Sequence, residues 1–256
     1  MKKIPLFSDT TAYEFDELED YTTAVFLIER PRVDFLLDTF CGPGYMEPIL
    51  ADRRRRGRNN CLVVINTHFH WDHIWGNCAF ENAFIVSHRQ TARLIRERWQ
   101  EQLAYRSFAK GELRMCLPNL TFEKELCFAD ENILLFYTPG HTEDCISVYD
   151  SLRDALYVGD NLERPLIHVE SPDLRAYETT LLSYQNRNPR YIFASHTTVA
   201  GCPDTSAFPE LTPSGGSQTI LQESIDYLHD LMHGRERTFS DPFTQIVHEE
   251  NLSIIH

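Results

Sequence analysis

Hydrophobic positions along this chain fall into short runs separated by polar turns, a pattern typical of β-strands. The runs Ala24–Ile28 and Val33–Leu37 flank four residues that include Pro31, and they predict a β-hairpin. The run Cys61–Ile65 shows too little alternation for a half-exposed strand, so we expect a central strand buried on both faces. It ends at Asn66, just before a group of histidines.

Helical periodicity appears in four segments between these runs. Met46–Arg56 predicts a helix that stops at Gly57, with a basic run from Arg53 to Arg58 that we expect to be a solvated helix end. Ser87 fits a capping box before the second helix, and Ser171 is the expected N-cap of the third. A break at 214–217 precedes the fourth, which Gly234 ends. The expected apolar stripes are Ala92, Ile95, Trp99 and Leu103; Leu174, Tyr177, Leu181 and Tyr184; and Leu221, Ile225, Leu228 and Met232.

Further strands are predicted in quick succession, so that some strands are neighbours in sequence and others are separated by helices. Two sheets covered by outer helices satisfy this order better than a single doubly wound sheet. We expect one α/β domain over residues 1–205, with a C-terminal loop, helix and tail over residues 206–256 packing on it. The additional strands are Phe84–Val86, Ile133–Tyr137, Cys145–Tyr149, Ala155–Val158 and Tyr191–Ala194.

Composition narrows the classes of function. The formal net charge of −14 argues against a nucleic-acid partner, which needs a basic surface. No apolar run is long enough to span a membrane, and the N-terminus lacks the apolar core of a signal peptide, so we expect a cytoplasmic protein. The seven cysteines are scattered without a CxxC pair, and most are expected to be reduced. Nothing here indicates the oligomeric state.

Candidate chemistry is concentrated in the segment from His68 to His73. His68 and His70 project to the same side of an extended chain, so they can bind one metal ion together. Asp72 and His73 follow where the chain turns, and they can reach a second metal nearby. A lone buried histidine is usually structural, but this cluster directly after a buried strand favours a metal site.

Three other predicted strands end on residues of the same chemical types. His141 follows Ile133–Tyr137 within Thr-Pro-Gly-His-Thr, Asp160 follows Ala155–Val158 within Gly-Asp, and His196 follows Tyr191–Ala194. Functional groups of open α/β sheets gather where strands meet turns. Each residue alone is a weak signal, and their agreement predicts a single site.

In these motifs, and in Leu36-Leu37-Asp38-Thr39, the chain resembles the metallo-β-lactamase superfamily in its glyoxalase II-like dinuclear branch. The resemblance implies a four-layer αββα sandwich with the site in a groove along one edge. It also implies that one metal is held by His68, His70 and His141, and the other by Asp72, His73 and His196, with Asp160 bridging them.

Imidazoles and carboxylates suit two divalent ions, with zinc expected and manganese or iron as alternatives. Paired cations need an anionic bridge such as Asp160, and they supply hydroxide at neutral pH that can attack a substrate carbonyl. Asp72 is expected to accept a proton from the nucleophile as well. Asp38 is equally consistent with a residue orienting a ligand imidazole and with an ordinary turn aspartate.

Residue types also separate the branches of the superfamily. Broad-spectrum β-lactamases resemble this chain less, because they carry cysteine where Asp160 stands. Glyoxalase II enzymes differ around His196, which is followed here by Thr-Thr-Val-Ala-Gly, and the remaining chain is short for their glutathione-binding domain. We therefore expect a hydrolase acting on a small ester, thioester or lactone. A mononuclear iron enzyme of the persulfide dioxygenase type, using His68, His141 and Asp160, is the alternative.

Several remaining polar residues have no assigned role. His168 is expected to be a strand-edge histidine rather than a substrate contact, and His229 with His233 a solvated pair on the last predicted helix. Glu163 and Arg164 are consistent with either a substrate loop or plain surface. The segment 208–216 is consistent with either a flap over the groove or an ordinary connection.

Overall fold

The computed structural model describes residues 1–18, 22–80, 82–196 and 217–255. Within these residues, seven strands form one mixed sheet in chain order from β1 to β7, and five form a second sheet in the order β12-β11-β10-β9-β8. The strands are β1 Lys2–Phe7, β2 Thr10–Phe15, β3 Thr23–Glu29, β4 Val33–Leu37, β5 Cys61–Ile65, β6 Phe84–His88, β7 Leu120–Phe122, β8 Glu125–Phe128, β9 Ile133–Tyr137, β10 Ile146–Asp150, β11 Ala155–Tyr157 and β12 Tyr191–Phe193.

Helices cover the outer faces of both sheets. In the described chain they are α1 Pro43–Arg55, α2 Trp71–Ile74, α3 Arg89–Gln102, α4 Leu174–Arg187, α5 Ser217–Met232 and α6 Pro242–Ile255, with short 3₁₀ turns at Trp75–Ala79, Leu103–Phe108 and Ala129–Glu131. None of the helices in the described residues combines the length and apolarity needed to cross a lipid bilayer.

Three apolar layers separate four layers of secondary structure. The two sheets share an inner core, the first sheet packs on α1 and α3 through a second core, and the second sheet packs on α4 and α5 through a third. Strand β5 shows how the sequence produces this arrangement. Val63 and Ile65 face the other sheet, while Leu62 and Val64 face the helices. The predicted αββα sandwich, and the predicted burial of β5 on both faces, are confirmed.

Backbone hydrogen bonds join the two sheets at one edge. The amide of Ile146 donates to the carbonyl of Thr67 at 2.9 Å, and the amide of Ala24 donates to the carbonyl of Ser195 at 2.8 Å. Thr67 and Ser195 each immediately precede a histidine of the predicted site. These bonds therefore hold the chain segments of the two sheets in register where the candidate residues gather.

Both predicted N-caps are wrong by one or two positions. Ser87 lies in β6, and the ring of His88 caps α3 by accepting from the amide of Gln90. For α4, the carboxylate of Asp173 accepts from the amide of Ala176, so Asp173 is the cap instead of Ser171. The error has a physical reason, because serine, aspartate and histidine can all accept at this position and local sequence alone does not rank them.

The basic run is not a solvated helix end. Arg53 is 8% exposed, and its guanidinium donates to the buried Asp34 at 2.7 Å. Arg58 also pairs with Asp34, and Arg56 pairs with Glu29. Carboxylates from β3 and β4 lie beside the end of α1, so tertiary packing converts most of the run into buried or half-buried ion pairs.

Strands β1, β2, β7 and β8 and the last helix have no counterpart in the sequence prediction. Helix α6 does carry a start signal, because Asp241 precedes Pro242 and accepts from the amide of Thr244 at 2.8 Å. The boundary between residues 205 and 206, the segment 208–216 and the break at 214–216 lie outside the described residues. The division into two regions stays a prediction.

Candidate metal centre

The candidate residues gather at the edge of the sandwich where several strands end. Strand β5 leads through Asn66 and Thr67 into His68, and the short helix α2 carries Asp72 and His73. From the second sheet, β9, β11 and β12 run in the same direction, because β10 is antiparallel to both β9 and β11 and β12 is parallel to β11. Their ends deliver the remaining three members of the set, His141, Asp160 and His196.

One group of possible metal ligands comprises His68, His70, His141 and Asp160, whose ligand atoms lie within 4.8 Å of one another. Nδ1 of His70 lies 2.9 Å from Nε2 of His68 and 3.1 Å from Nε2 of His141. Oδ2 of Asp160 lies 3.5 Å from Nε2 of His68. The four side chains come from three separate parts of the chain, and three of the four are fully buried.

A second group comprises Asp72, His73 and His196. Nε2 of His196 lies 3.3 Å from Oδ2 of Asp72, and Nε2 of His73 lies 3.5 Å from the same oxygen. Oδ2 of Asp160 lies 3.2 Å from Nε2 of His73 and 3.1 Å from Nε2 of His196. Asp160 is therefore placed between both groups, and its role as a bridge between two metals stays a prediction.

Hydrogen bonds on the outer side of each ring orient the histidines. Nδ1 of His141 donates to the carbonyl of His168 at 2.9 Å, and Nδ1 of His196 donates to the carbonyl of Thr22 at 3.1 Å. Nδ1 of His73 faces Oδ2 of Asp38 at 2.9 Å. Since a carbonyl or carboxylate oxygen only accepts, each of these nitrogens carries the proton, and in the neutral ring the inner Nε2 carries a lone pair.

The inner atoms of the site fit a bound cation. Lone pairs that face one another across about 3 Å repel unless a proton or a metal lies between them. Oδ1 of Asp160 is buried and forms no hydrogen bond with any described residue, and Nε2 of His73 faces the carboxylates of Asp160 and Asp72 at 3.2 and 3.5 Å. Imidazole and carboxylate donors of this kind suit a divalent metal ion.

The charges of the buried side chains at the centre also favour a bound cation. Burial opposes ionisation of Asp160, but His196, His73 and His68 outweigh it and hold the pKa of this carboxyl well below its usual range. Burial likewise opposes the charged form of His73, and the carboxylates of Asp160 and Asp72 raise its pKa well above the usual value. For His68, burial lowers the pKa. The site therefore holds ionised carboxylates beside buried imidazoles.

Asp38 connects Thr67, which precedes His68, to His73 through its carboxylate. Its carboxylate accepts from the amide and the hydroxyl of Thr67, both at 2.8 Å, and contacts Nδ1 of His73. Its backbone has φ 63°, a left-handed conformation that aspartate adopts more readily than most residues. Of the two roles open at the sequence level, the structure supports the one in which Asp38 orients a ligand imidazole.

Gly140 allows the loop before His141 to approach the core closely. A Cβ atom at this position would lie 2.5 Å from Oδ1 of Asn161 and 2.5 Å from the ring of Tyr177. Oδ1 of Asn161 accepts from the amide of His141 at 2.9 Å. Asn161 thus fixes the loop, a contact that the sequence prediction did not contain although the residue adjoins Asp160.

A cavity of about 500 Å³ opens onto the centre. Apart from candidate ligands, its walls contain aromatic side chains and several carboxylates, and helix α6 forms one side. Glu170, Gln102 and the residues of α6 were not predicted from sequence, since no local pattern indicates which distant segments meet at the cavity. Its lining outside the candidate ligands is Phe69, Trp71, Arg98, Glu101, Gln102, Tyr105, Glu163, His168, Glu170, Phe243, Ile246 and Glu250.

His168 faces this cavity, contrary to the expectation of a strand-edge histidine. It lies outside any strand, and its Nδ1 and backbone amide contact Oε1 of Glu163 at 2.8 and 2.9 Å. Glu163 is 6% exposed, so it is a buried partner and not plain surface. Burial opposes the charged form of His168, but Glu163 raises its pKa.

His229 and His233 lie on the surface of α5, away from this cavity. Nε2 of His229 lies 2.8 Å from Oε1 of Glu178, and the His229 side chain is 51% exposed, in agreement with the expected solvated pair. Neither histidine belongs to a group of three possible metal ligands among the described residues. The last helix is α6, not α5.

Comparisons with known proteins identify the family and support the fold. The model of the metallo-beta-lactamase superfamily matches residues 18–196. A hydroxyacylglutathione hydrolase of Thermosynechococcus vestitus is 26% identical over 59% of this chain and 52% of its own length. A probable metallo-hydrolase of Methanocaldococcus jannaschii is 32% identical over 48% of this chain and 49% of its own length. The chain thus matches about half the length of these curated relatives.

Solved structures give the same fold at low sequence identity. A metallo-beta-lactamase from Pontibacter korlensis superposes with a TM-score of 0.66 at 19% identity, covering 90% of this chain and 99% of that one. The DIM-1 metallo-beta-lactamase superposes with a TM-score of 0.69 at 13% identity, covering 89% and 96%. At these identities the likeness concerns the fold alone.

Proposed function

Because the chain belongs to the metallo-beta-lactamase superfamily, we propose that it is a metal-dependent hydrolase with a dinuclear centre, acting on a small ester, thioester or lactone. The observation that carries the proposal is the position of Asp160, whose Oδ2 lies within 3.5 Å of His68, His73 and His196. One carboxylate between two histidine groups suits a pair of cations. Relatives that are named for the hydrolysis of hydroxyacylglutathione support the reaction class.

We assign His68, His70 and His141 to one metal, Asp72, His73 and His196 to the other, and Asp160 to both. Zinc is the proposed metal, since three of the four donors in the first group are imidazoles. When bound, the two cations supply hydroxide at neutral pH and Lewis acidity toward a carbonyl oxygen. A small-molecule substrate enters through the cavity above the centre.

The chain's own residues then have defined tasks. In the neutral ring, the outer hydrogen bonds of His70, His73, His141 and His196 hold the proton on the outer nitrogen, so that the inner nitrogen offers its lone pair to a cation. Asp72, which is 6% exposed and faces the cavity, is placed to hold a proton released during attack. Phe69 and Trp71 cover the centre with apolar surface, which limits access of bulk water.

The proposal is tested by metal analysis together with an activity panel. Purified protein loaded with zinc, manganese or iron is assayed on esters, thioesters and lactones, and about two zinc ions per chain are expected. Asp160→Asn and His141→Ala should each abolish turnover and lower metal content. Glu178→Gln, which alters a histidine-paired glutamate on another cavity, should change neither.

Full turnover and full metal content in both centre variants would refute the assignment. A single iron per chain, with oxygen uptake on a persulfide and no hydrolysis, would support the dioxygenase alternative instead. The cytoplasmic location and the lack of a nucleic-acid partner stay predictions.

A further inference from the structure

The wall of the cavity above the candidate centre carries more acidic than basic side chains. Outside the candidate ligands, the described lining contains four carboxylates and one guanidinium. That guanidinium, on Arg98, lies 3.1 Å from the carboxylate of Glu101 and is neutralised by it. Of the three remaining carboxylates, that of Glu163 lies 2.8 Å from Nδ1 of His168 and that of Glu170 lies 3.0 Å from Nε2 of His70. The carboxylate of Glu250, which forms no ion pair among the described residues, leaves the wall with an excess of negative charge.

Gln102 adds a buried acceptor to the same wall. The side chain is 6% exposed, and its Nε2 donates to the carbonyl of Phe69 at 3.4 Å. This contact fixes the orientation of the amide, because a carbonyl oxygen can only accept and must face the NH₂ group. Oε1 of Gln102 is then left buried without a hydrogen-bond partner among the described residues. Leaving such an atom unsatisfied costs free energy, so a ligand that brings a donor stabilises it.

Aromatic rings form the apolar part of the wall. Trp71 and Tyr105 are stacked, with centroids 5.0 Å apart and an interplanar angle of 6°. Tyr105 is 50% exposed, so this aromatic surface is accessible. Faces of tryptophan and tyrosine rings attract cations, and anions gain nothing comparable from them.

We propose that the substrate of this site is an acyl compound that carries an ammonium group, with the acyl carbonyl at the centre and the ammonium group against the acidic wall. The carboxylate of Glu250 and Oε1 of Gln102 are the recognition groups: the first supplies charge and the second accepts an N–H. The inference rests on the proposed hydrolase function and names its substrate class. It also separates this chain from enzymes whose substrates are carboxylates, because the wall repels a negatively charged acyl donor.

Three features favour Glu250 as the group to test. It lies on α6 and faces the cavity, where its charge acts on the imidazole of His168, and no ion pair within 4 Å joins it to a basic side chain of the described residues. It is also remote from the candidate ligands in sequence. Its neighbour Glu249 is exposed on the same helix, is bonded to Gln245, and does not line the cavity, so it offers a matched control. The chain's net charge of −14 attracts cations in general. Replacing Glu249 removes the same unit of charge outside the cavity, so this control measures the general attraction.

The test uses a series of thioesters with one acyl length and a terminal ammonium, trimethylammonium, methyl or carboxylate group. On the zinc-loaded protein, kcat/KM is expected to fall in that order. Ammonium should surpass trimethylammonium because only it donates an N–H to Gln102. Glu250→Gln should lower kcat/KM for the ammonium thioester about fivefold, the size expected for an exposed charge pair. It should leave the methyl thioester unchanged, and Glu249→Gln should preserve the whole series.

Gln102→Met is expected to remove the preference for ammonium over trimethylammonium while retaining the discrimination against carboxylate.

A second readout avoids turnover: in calorimetric titrations of the zinc-loaded protein, benzylammonium should bind more tightly than benzyl alcohol, and Glu250→Gln should weaken only the former. Equal or faster turnover of the carboxylate thioester, or equal binding of the two benzyl probes, would overturn the inference while leaving a hydrolase in place. Failure to hydrolyse any thioester, ester or lactone would instead remove the proposed function.

Discussion

Nε2 of His70 lies 3.0 Å from Oε2 of Glu170, a residue 100 positions later in the chain. Because this carboxylate accepts from Nε2, the neutral ring presents the lone pair of Nδ1 to His68 and His141. Glu170 therefore determines which nitrogen of His70 is available to a metal. Burial opposes ionisation of Glu170, but His70 outweighs it and lowers the pKa of the carboxyl to about 2, so the carboxylate is charged at neutral pH.

Replacing Glu170 by glutamine should weaken metal binding at the first group. The amide keeps the shape of the side chain but loses the charge that raises the basicity of His70. A loss of about tenfold in zinc affinity is expected, at the lower end of the range for such partners. Competition with a chromophoric chelator at neutral pH measures it. An E170Q protein with unchanged affinity would contradict this role, and Glu178→Gln is the control.

Asp38→Asn should affect both stability and the second metal group. Asparagine tolerates the left-handed backbone at this position, but its amide nitrogen cannot accept from Thr67 or His73. The free energy of unfolding of the metal-free protein should fall by about 1–3 kcal/mol, and zinc affinity by about tenfold. Urea titration in chelator and metal titration measure these. Asp154→Asn, another aspartate with positive φ, should leave zinc affinity intact.

The ion pairs at the end of α1 should differ widely in their contribution to stability. Asp34 is fully buried and accepts from Arg53 and Arg58, so Asp34→Ala leaves buried positive charge uncompensated. A loss of about 3–5 kcal/mol in unfolding free energy is expected. Arg54→Ala removes an exposed pair with Glu47 and should cost less than about 1 kcal/mol. Similar losses in the two variants, measured by urea denaturation, would show that the basic run is solvated after all.

Asp144 should make the free energy of unfolding fall as pH rises, whereas a carboxylate in an ion pair makes it rise. It is fully buried, and burial raises its pKa to about 6. An aspartate in an unfolded chain has a pKa of about 3.9, so the folded protein binds more protons between these values. Stability from this group is therefore present below about pH 4 and lost as pH rises toward 6.

The difference between wild type and Asp144→Asn isolates this contribution. In chelator, the unfolding free energy of the wild type relative to the variant should decline by up to about 3 kcal/mol between pH 4 and pH 7. Denaturant titrations at several pH values provide the measurement. Parallel pH profiles for the two proteins would show that Asp144 does not titrate in this range.

The strands predicted from sequence begin and end within two residues of those found, because they follow from local hydrophobic patterns. Cys61–Ile65 is apolar throughout its interior and lies at exactly the bounds found for β5, and His68, His141, Asp160 and His196 all follow strand ends as expected. The alternation of side chains along an extended segment likewise places His68 and His70 together. Helix caps were less predictable, since the choice between adjacent acceptors such as Ser171 and Asp173 depends on the path of the incoming chain.

By itself, the sequence indicated most of the strands and the seven residues that gather at one edge, because hydrophobic periodicity and donor types are properties of short segments, while the four-layer fold was implied by the resemblance to a known superfamily. Only the tertiary structure decided what surrounds them. Glu170 orients His70 from 100 positions away, and α6 brings Glu250 to the cavity. Asp34 forms ion pairs with two arginines of the basic run, Arg53 and Arg58. Such contacts join segments distant in the chain, so their energies arise only once the sheets and helices have packed.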